Sequence, residues 1–351
     1  MRSEDYKAVE EYLRELGATD EEVAEARVGE QYSELALDLV LRPPGEILDF
    51  ATAAEQAGLS LDEAAQLWRA FGFPDPFTAP PRIAPDMADA LKLFSATSQL
   101  LGPEAALALA RVLGASTARL ANAIVDSFRV QFELPRLHSG TPYSEIVRGY
   151  VDVARTMVPP AFEALGAVMR RHILEEAQGT WSWDDERATT GRELVVGFVD
   201  LVAYTALSRT LTPRQLAELV SRFEAVVGDV VSGHDGRVVK LIGDGAMFVV
   251  DSVADGCRLA LGLVERVGAE GDLPPVRVAL AHGSVVALHG DYYGDVVNLA
   301  ARLLAVAAPS TVVASEPTAR EAEAAGGFRV EALPASSLKG IPGPSAAFRI
   351  L

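Results

Sequence analysis

Residues 236–250, GRVVKLIGDGAMFVV, consist of two β-type runs on either side of the turn Gly243-Asp244-Gly245. Asp-Gly turns between apolar runs are typical of β-hairpins, so we expect Asp244 at the tip of one. Other β-type runs, such as residues 192–200 and 276–283, alternate with segments of helical periodicity over the rest of 191–351. Strands and helices that alternate in this way predict a sheet covered by helices.

The first half of the chain has a different pattern. Up to about residue 178, apolar residues recur every three or four positions between Gly and Pro breaks, which predicts an all-helical domain. Residues 142–178 are expected to form one long or kinked helix, because Pro159-Pro160 removes two backbone donors and should bend or split it. The next residues lose this periodicity and gather Gly, Asp and Thr. We therefore predict a helical domain at 1–178, a linker at 179–191 and a second domain at 192–351.

Composition narrows the function classes. The chain has 351 residues, 49% of them hydrophobic, which suits about two packed domains of roughly 150 residues each. Residues 1–190 carry 17 Lys and Arg against 31 Asp and Glu, and residues 191–351 carry 14 against 18, for a net charge of −18. Because phosphate contacts need clustered positive charge, this balance argues against bulk nucleic-acid or anionic-membrane binding.

Three features bear on localisation. Cys257 is the single cysteine, which fits a reducing compartment because it has no partner for an internal disulfide. The N-terminal residues lack the apolar core of a secretory signal. No apolar run reaches the roughly 18 residues that a membrane-spanning helix needs. We expect a cytoplasmic protein with no transmembrane segment.

Two carboxylates stand at the ends of β-type runs. Asp200 ends the apolar run that begins at residue 192, and Asp244 lies at the predicted hairpin tip. Two acidic tips on adjacent strands would form an oxygen-ligand site for Mg²⁺, which takes one or two carboxylates and completes its shell with water and substrate phosphate. Taken singly, each is equally explained as a turn or capping Asp.

Polar and basic residues farther along are candidates for nucleotide binding. Asn298 and Arg302 are four residues apart in a helical segment and so share a face, where they could hold a ribose and a phosphate. Arg277 begins a β-type run and Lys339 lies in a predicted loop, so either cation could reach phosphates. Seen in isolation, all four are ordinary surface residues.

Five segments, in this order and spacing, resemble the class III nucleotidyl cyclase catalytic domain. They are FVDLVAYT, KLIGDG, RVALAHG, GDYYGDVVNLAARL and SLKGI, and the resemblance covers about 190–351. It implies an α+β ferredoxin-like catalytic domain. It also implies an adenylate cyclase, a phosphorus-oxygen lyase that converts ATP to 3′,5′-cyclic AMP and pyrophosphate.

The resemblance implies metal-binding roles for residues around the first strand. Asp200, Asp244 and the main-chain carbonyl of Leu201 would hold two Mg²⁺ or Mn²⁺ ions per active site. Tyr204 and Thr205 stand where the family usually has Phe-Thr in the metal loop. Ala203-Tyr204 replaces the commoner Gly-Phe, so the added methyl and hydroxyl groups are expected to tighten this loop.

Substrate-binding roles follow from the same resemblance. Lys240 and Asp291 match the pair that reads adenine, which favours ATP over GTP. Asn298 matches the residue that orients the ribose, and Arg302 the one that stabilises charge on the α-phosphate in the transition state. Two further cations match triphosphate-binding residues: Arg277 and Lys339.

In this family the active site forms between two catalytic domains. The resemblance therefore implies a head-to-tail homodimer with two equivalent sites, and an inactive monomer. One protomer would supply Asp200, Asp244 and Arg277, and the other would supply Lys240, Asp291, Asn298, Arg302 and Lys339.

The N-terminal half resembles the helical regulatory domain of soluble actinobacterial cyclases, on the segment SLDEAAQLWRAFGFPDP at 60–76 and on domain order. This resemblance implies an autoinhibitory domain that acts through the long helix and linker. Residues 50–76 also read as helix, turn, helix, but the second helix offers one cation, so DNA binding is disfavoured. We expect Leu67, Trp68 and Phe71 to be core residues of a helical bundle.

Two regulatory inputs are conceivable from the sequence. His172 lies among charged residues near the connector and could respond to protons, although a solvated helix histidine explains it as well. The Ala- and Leu-rich segment at 91–130 could enclose a lipid, although an apolar helix stripe is usually plain core.

Other functions remain open at this stage. The chain could be a catalytically silent, cyclase-like sensor that binds nucleotide and passes on a conformational signal. A diguanylate cyclase is disfavoured because its Gly-Gly-acidic-acidic-Phe signature is absent from the sequence.

Overall fold

The computed structural model describes residues 3–180, 191–337 and 344–351. Contacts divide the chain into two compact units, Met1–Trp181 and Ser182–Leu351. Most of the predicted linker at 179–191 lies outside the described residues, as does Lys339, so the predicted boundaries remain predictions.

The first unit is built from helices, as predicted. Two of these helices begin with a capping box, formed by Thr19 with Glu22 and by Ser60 with Glu63. The start of each helix is therefore determined by residues within four positions of one another. The elements are α1 (Ser3–Glu15), α2 (Asp20–Gly29), α3 (Tyr32–Leu41), α4 (Phe50–Gln56), α5 (Leu61–Ala70), α6 (Pro85–Leu101), α7 (Pro103–Phe128), a π-helical turn (Arg129–Glu133), α8 (Leu134–His138) and α9 (Tyr143–Thr180).

Two apolar clusters form the interior of this unit. One joins α1, α2 and α3 to the start of α9 through residues such as Leu13, Val23 and Val147. The other joins α4, α5, α6 and α7. It contains the three residues that the sequence analysis assigned to the core, Leu67, Trp68 and Phe71, and each is buried.

The long helix and the apolar segment before it differ in part from expectation. α9 is a single helix with Pro159 and Pro160 inside it, so the prolines do not split it. In α6 and α7, Leu91 is buried, whereas Leu100 and Ile124 are 81% and 57% exposed. The expectation of plain core at 91–130 is therefore wrong for the exposed side chains, because helical periodicity identifies an apolar stripe but not what covers it.

The second unit is a mixed sheet with helices packed on it. Its strands are β1 (Arg192–Leu201), β2 (Arg237–Ile242), β3 (Gly245–Val250), β4 (Val276–Leu288), β5 (Asp291–Tyr293), β6 (Thr311–Ser315), β7 (Val330–Ala332), β8 (Ser336–Ser337), β9 (Pro344–Ser345) and β10 (Ala347–Ile350). Its helices are α10 (Tyr204–Ser208), α11 (Pro213–Ser232), α12 (Val253–Ala269), α13 (Asp295–Leu304) and α14 (Glu316–Ala325).

The strand order is β2-β3-β1-β4-β6-β10-β7, with β5 paired to β4 off this path. The first four of these strands, connected through α11 and α12 as β-α-β-β-α-β, form an antiparallel ferredoxin-like sheet. β6 continues it parallel to β4. The predicted fold class, a helical domain followed by an α+β ferredoxin-like domain, is confirmed.

Both faces of this sheet are covered, which explains why β1 is apolar at nearly every position. Val195 and Val199 point into a cluster with Phe223 of α11 and Leu259 of α12. The alternate residues of β1 point to the opposite face, where α13 packs. Within the described ranges, no helix combines the length and apolar character needed to cross a bilayer.

Candidate active site

Asp200 and Asp244 lie at the same end of two neighbouring strands. Asp200 is the register partner of Gly245 in β3, and Asp244 directly precedes Gly245 in the β2–β3 turn. The backbone N–H of Leu201 donates to the carbonyl oxygen of Asp244 at 3.1 Å. A Cβ atom on Gly245 would stand 2.7 Å from the carbonyl oxygen of Val199, so only glycine allows this approach.

Arg277 joins this pair from β4, where it is the register partner of Asp200. Its Nε and Nη2 atoms both donate to Oδ2 of Asp200, at 3.0 and 2.6 Å. Burial of the carboxyl raises the pKa of Asp200 above its ordinary value, and the nearby Asp244 carboxylate adds to this, although Arg277 opposes both. The cluster is therefore a partly buried, acidic site short of positive charge.

These residues fit a divalent cation of the Mg²⁺ type. Both hydrogen bonds from Arg277 reach Oδ2 of Asp200, which leaves Oδ1 as a ligand beside Asp244. A cation between the two carboxylates would offset the repulsion that raises the pKa of Asp200. Among the described residues no group of three or more His, Cys, Asp or Glu side chains forms a metal cluster. Two carboxylates are enough for Mg²⁺ when substrate phosphate supplies further oxygens.

The segment after β1 is the one to which the family resemblance assigns the metal loop. Leu201 is buried, and the N–H of Val202 donates to the carbonyl oxygen of Pro275 at 2.8 Å, which fixes the chain as it leaves the strand. Ala203 has a left-handed backbone, with φ 60° and ψ 20°. Tyr204 packs against the core and Thr205 is exposed.

A second pair of polar side chains lies on β2 and β5. Lys240 Nζ donates to Asp291 Oδ2 at 2.5 Å. The other oxygen of Asp291 accepts the backbone N–H of Tyr292 at 2.8 Å. The Lys240 ammonium can only donate hydrogen bonds, and the Asp291 carboxylate beside it can only accept them. The pair therefore suits a ligand that presents one acceptor and one donor along the same edge.

Asn298 and Arg302 lie on α13, one turn apart. The opposite side of this helix is buried through Ala300 and Leu303, so the two polar side chains face outward. Across the described part of the chain, no side-chain hydrogen bond or ion pair involves Asn298 or Arg302, which leaves both available to a ligand.

Comparison with known proteins identifies the family. Residues 187–350 match the adenylate and guanylate cyclase catalytic domain. An adenylate cyclase of Streptomyces coelicolor is 34% identical over 270 residues, covering 77% of this chain and 70% of its own length. The chain belongs to the adenylate and guanylate cyclase family. The family predicted from the five segments is confirmed, and with it the prediction of a cyclase enzyme.

Two further relatives also include the helical half. An uncharacterised protein of Mycobacterium tuberculosis is 37% identical over 304 residues, covering 87% of this chain and 80% of its own. A protein of the same species named as a pH-sensitive adenylate cyclase is 26% identical over 359 residues, covering 99% of this chain and 88% of its own. The sequence similarity to these two relatives thus extends from the cyclase domain into the helical half of the chain.

The cyclase domain gathers the predicted site residues into separate groups. Asp200, Asp244 and Arg277 form one cluster, and Lys240 and Asp291 form another. No hydrogen bond or ion pair among the described residues joins the two clusters. The individual catalytic and binding roles remain predictions.

Two residues beside Lys240 and Asp291 were missed by the sequence analysis. The guanidinium Nη2 of Arg237 donates to the hydroxyl oxygen of Tyr292. Tyr292 is 4% exposed and belongs to the apolar cluster under α13. A buried tyrosine needs a partner for its hydroxyl, but neither the burial of Tyr292 nor the identity of its partner can be read from the sequence.

Proposed function

We propose that this cyclase converts ATP to 3′,5′-cyclic AMP and pyrophosphate. In that reaction the ribose 3′-oxygen forms a bond to the α-phosphorus, the bond from that phosphorus to pyrophosphate breaks, and the 3′-hydroxyl proton is lost to solvent. The observation that best supports ATP is the 2.5 Å contact between Lys240 and Asp291. Named adenylate cyclases among the relatives, at 34% and 32% identity, support the same substrate.

The base preference follows from hydrogen-bonding chemistry. Adenine presents a ring-nitrogen acceptor and an exocyclic amine donor, which complement a lysine ammonium and an aspartate carboxylate. Guanine presents the opposite pattern at the corresponding positions, so its carbonyl oxygen would face Asp291. A buried acceptor left facing another acceptor is strongly disfavoured, which makes GTP the poorer substrate.

The proposed metal site consists of Asp200, Asp244 and the main-chain carbonyl of Leu201, which would hold two Mg²⁺ or Mn²⁺ ions. When bound, such ions activate the ribose hydroxyl and neutralise phosphate charge. Arg277 keeps Asp200 oriented through two hydrogen bonds, and its role in triphosphate binding is assigned on the family resemblance. We assign Lys339 to triphosphate binding on the family resemblance alone.

We also propose that the active form is a head-to-tail homodimer. Asn298 and Arg302 would orient the ribose and stabilise the α-phosphate from the partner side. Two observations support this arrangement. No hydrogen bond or ion pair joins the two clusters among the residues that the structure describes, and the β2–β3 and β4–β5 hairpins expose large apolar side chains. Those side chains are Leu241, Ile242, Val286 and Leu288, each between 46% and 57% exposed.

We propose that the helical domain restrains the activity of the cyclase domain. We also propose that the protein is cytoplasmic. Support comes from the continuous helix α9, which runs to Thr180, and from the full-length relative named as pH-sensitive. His172, the residue considered as a proton sensor, is 69% exposed and lies 3.7 Å from Glu175. Burial raises the pKa of the Cys257 thiol to about 12, which makes redox control through it unfavourable.

Measurement of cyclic AMP and cyclic GMP formation, with Mg²⁺ and with Mn²⁺, tests the activity. Asp244→Asn should lower cyclic AMP formation at least about 100-fold, since it removes one of two carboxylates that hold the ions. Asp272→Asn is the matched control, because Asp272 is an 84% exposed surface residue paired with Arg222. Wild-type protein that binds ATP without forming product would instead support the silent nucleotide sensor.

Measurement of cyclic AMP formation also tests whether the helical domain restrains the cyclase domain. Residues 191–351 should form more cyclic AMP per mole of dimer than the full chain does, with dimer content measured by sedimentation. Equal rates per mole of dimer would overturn the proposed restraint while leaving the cyclase activity intact.

A further inference from the structure

Arg237 and Tyr292 form a side-chain contact directly beside the proposed base-reading pair. Arg237 is three residues before Lys240 in β2, and Tyr292 follows Asp291 in β5. The Arg237 guanidinium donates to the Tyr292 hydroxyl, and its Cζ atom lies 5.5 Å from the tyrosine ring centroid. β2 and β5 are therefore linked by two adjacent contacts, one between the base-reading residues and one between their neighbours.

A β-bulge makes this arrangement possible. Residues three apart in a regular strand point to opposite faces of a sheet. In β2, however, the register shifts at Val239, so Arg237 stands opposite Val249 and Lys240 stands opposite Met247. Met247 and Val249 belong to the same apolar cluster, under α13. The extra residue thus places both cations on the face where β5 lies.

β5 is held by its pairing with β4, by packing of Tyr292 under α13 and by these contacts with β2. The strand has three residues and, among the strands that the structure describes, it pairs with β4 alone. Backbone pairing fixes β5 relative to β4 but not its distance from β2. Because the Tyr292 ring is buried and its hydroxyl is held by Arg237, the contact anchors β5 toward β2 and brings Asp291 within 2.5 Å of Lys240.

We propose that Arg237 and Tyr292 are positioning residues for purine selection: they hold Asp291 at the distance from Lys240 at which both read one adenine edge. The inference rests on the proposed ATP-cyclising function. Neither residue needs to touch the nucleotide. Their effect is on the spacing of two groups that do, and spacing errors of about an ångström weaken paired recognition.

Tyr292→Phe tests the inference with little risk to folding, because it keeps the buried ring and removes only the hydroxyl. The readouts are the KM and kcat for ATP and the inhibition constant of inosine triphosphate, which carries a carbonyl oxygen where adenine carries its amine. We expect the KM for ATP to rise about tenfold, the effect of losing one charge-assisted hydrogen bond. The kcat and the inhibition constant of inosine triphosphate should change less than about twofold.

Arg237→Gln and the double variant complete a cycle. If the two residues act as one unit, the double variant should raise the KM for ATP no more than the larger single change does. Arg222→Gln removes an exposed arginine paired with Asp272 and serves as the control, with unchanged KM. If the increases in the KM for ATP caused by the two substitutions add up in the double variant, Arg237 and Tyr292 do not act as one unit.

Two other results also separate the possibilities. A parallel weakening of ATP and inosine triphosphate, or no change in either, would overturn positioning for purine selection. If wild-type protein forms no cyclic nucleotide, the proposed function fails instead. The inference is then tested by direct binding of ATP and inosine triphosphate to the same variants, where loss of preference for ATP in Tyr292→Phe supports it and unchanged preference overturns it.

Discussion

Asp200 and Arg277 are paired both through the strand register and through their side chains. Their Cα atoms are register partners across β1 and β4, and the Arg277 guanidinium donates two hydrogen bonds to a single carboxylate oxygen of Asp200. The arginine therefore restrains the carboxylate without occupying both of its oxygens. Even so, burial and the neighbouring Asp244 keep the pKa of Asp200 raised. A site of this kind is destabilised by its own charge until a cation binds.

Asp244→Asn should accordingly stabilise the protein when divalent metal is absent. A carboxyl whose pKa rises on folding lowers stability at pH values above its ordinary pKa, and removal of the adjacent negative charge reduces that effect. We expect a gain of roughly 1 kcal/mol in the free energy of unfolding at pH 7 without metal. Added Mn²⁺ should raise the melting temperature of wild type more than that of the variant. A variant less stable than wild type in metal-free buffer would contradict the account of this site.

Acid stability of the helical domain should depend on Glu10. Its carboxylate accepts two hydrogen bonds from Arg27 and one from the Tyr32 hydroxyl, and Arg27 is the main cause that lowers the pKa of Glu10 below 4.5. This contribution to stability is present above pH 4.5 and is lost as pH falls through the folded-state pKa. Wild type should lose roughly 1 to 2 kcal/mol from this source on acidification.

Glu10→Gln should be less stable at pH 7 and should lack that part of the acid dependence. Glu11→Gln is the control, because Glu11 is exposed on the same helix. Chemical unfolding of the full chain at several pH values between 3 and 7 measures the difference. Replacing Trp181 and Trp183 with phenylalanine in every protein compared makes tryptophan fluorescence report Trp68 of the helical domain. Parallel acid curves for wild type and Glu10→Gln would show that other groups dominate.

Local sequence patterns predicted where several candidate site residues lie on their own helix or hairpin. The Gly-Asp-Gly turn predicted Asp244 at a hairpin tip, and helical spacing predicted Asn298 and Arg302 on one face, because each depends on residues close in sequence. The family resemblance added the pairing of Lys240 with Asp291, which lie 51 residues apart and which no local pattern connects.

Features set by tertiary structure were not predicted. The bulge at Val239 leaves no mark on the apolar pattern of β2, so the contact between Arg237 and Tyr292 could not be foreseen. Likewise, an apolar stripe on α7 is visible in the sequence, but the exposure of Ile124 is not. Both features depend on which surfaces of the protein pack together, and the periodicity of apolar residues in the sequence does not determine this.

Ala203→Gly should stabilise the loop that follows β1. Ala203 has φ 60°, a left-handed conformation that costs an L-residue with a Cβ about 1 to 2 kcal/mol. Glycine removes this strain but has a more flexible unfolded chain, so the net gain should be roughly 0.5 to 1 kcal/mol. Ala206→Gly, in the helix that follows, should instead lose roughly 0.5 to 1 kcal/mol. Thermal unfolding of both variants checks the opposite signs, and a loss at both positions would contradict the strained conformation.

Complementation between two inactive variants tests whether the site is shared between chains. Asp244→Asn damages the proposed metal site, and Arg302→Ala damages the exposed face of α13, so each protein alone should be nearly inactive. In a mixed head-to-tail dimer, one of the two sites takes its metal cluster and its arginine from undamaged halves. Random pairing of equal amounts should therefore restore about one quarter of wild-type cyclic AMP formation.

The dependence on concentration separates this result from contamination or partial activity. Restored activity should rise more steeply than linearly with total protein below the dissociation constant of the dimer, because only dimers contain a complete site. Each variant assayed alone at twice the concentration is the control. A mixture no more active than the sum of its parts, under conditions where sedimentation detects mixed dimers, would place all the site residues within one chain and overturn the shared site.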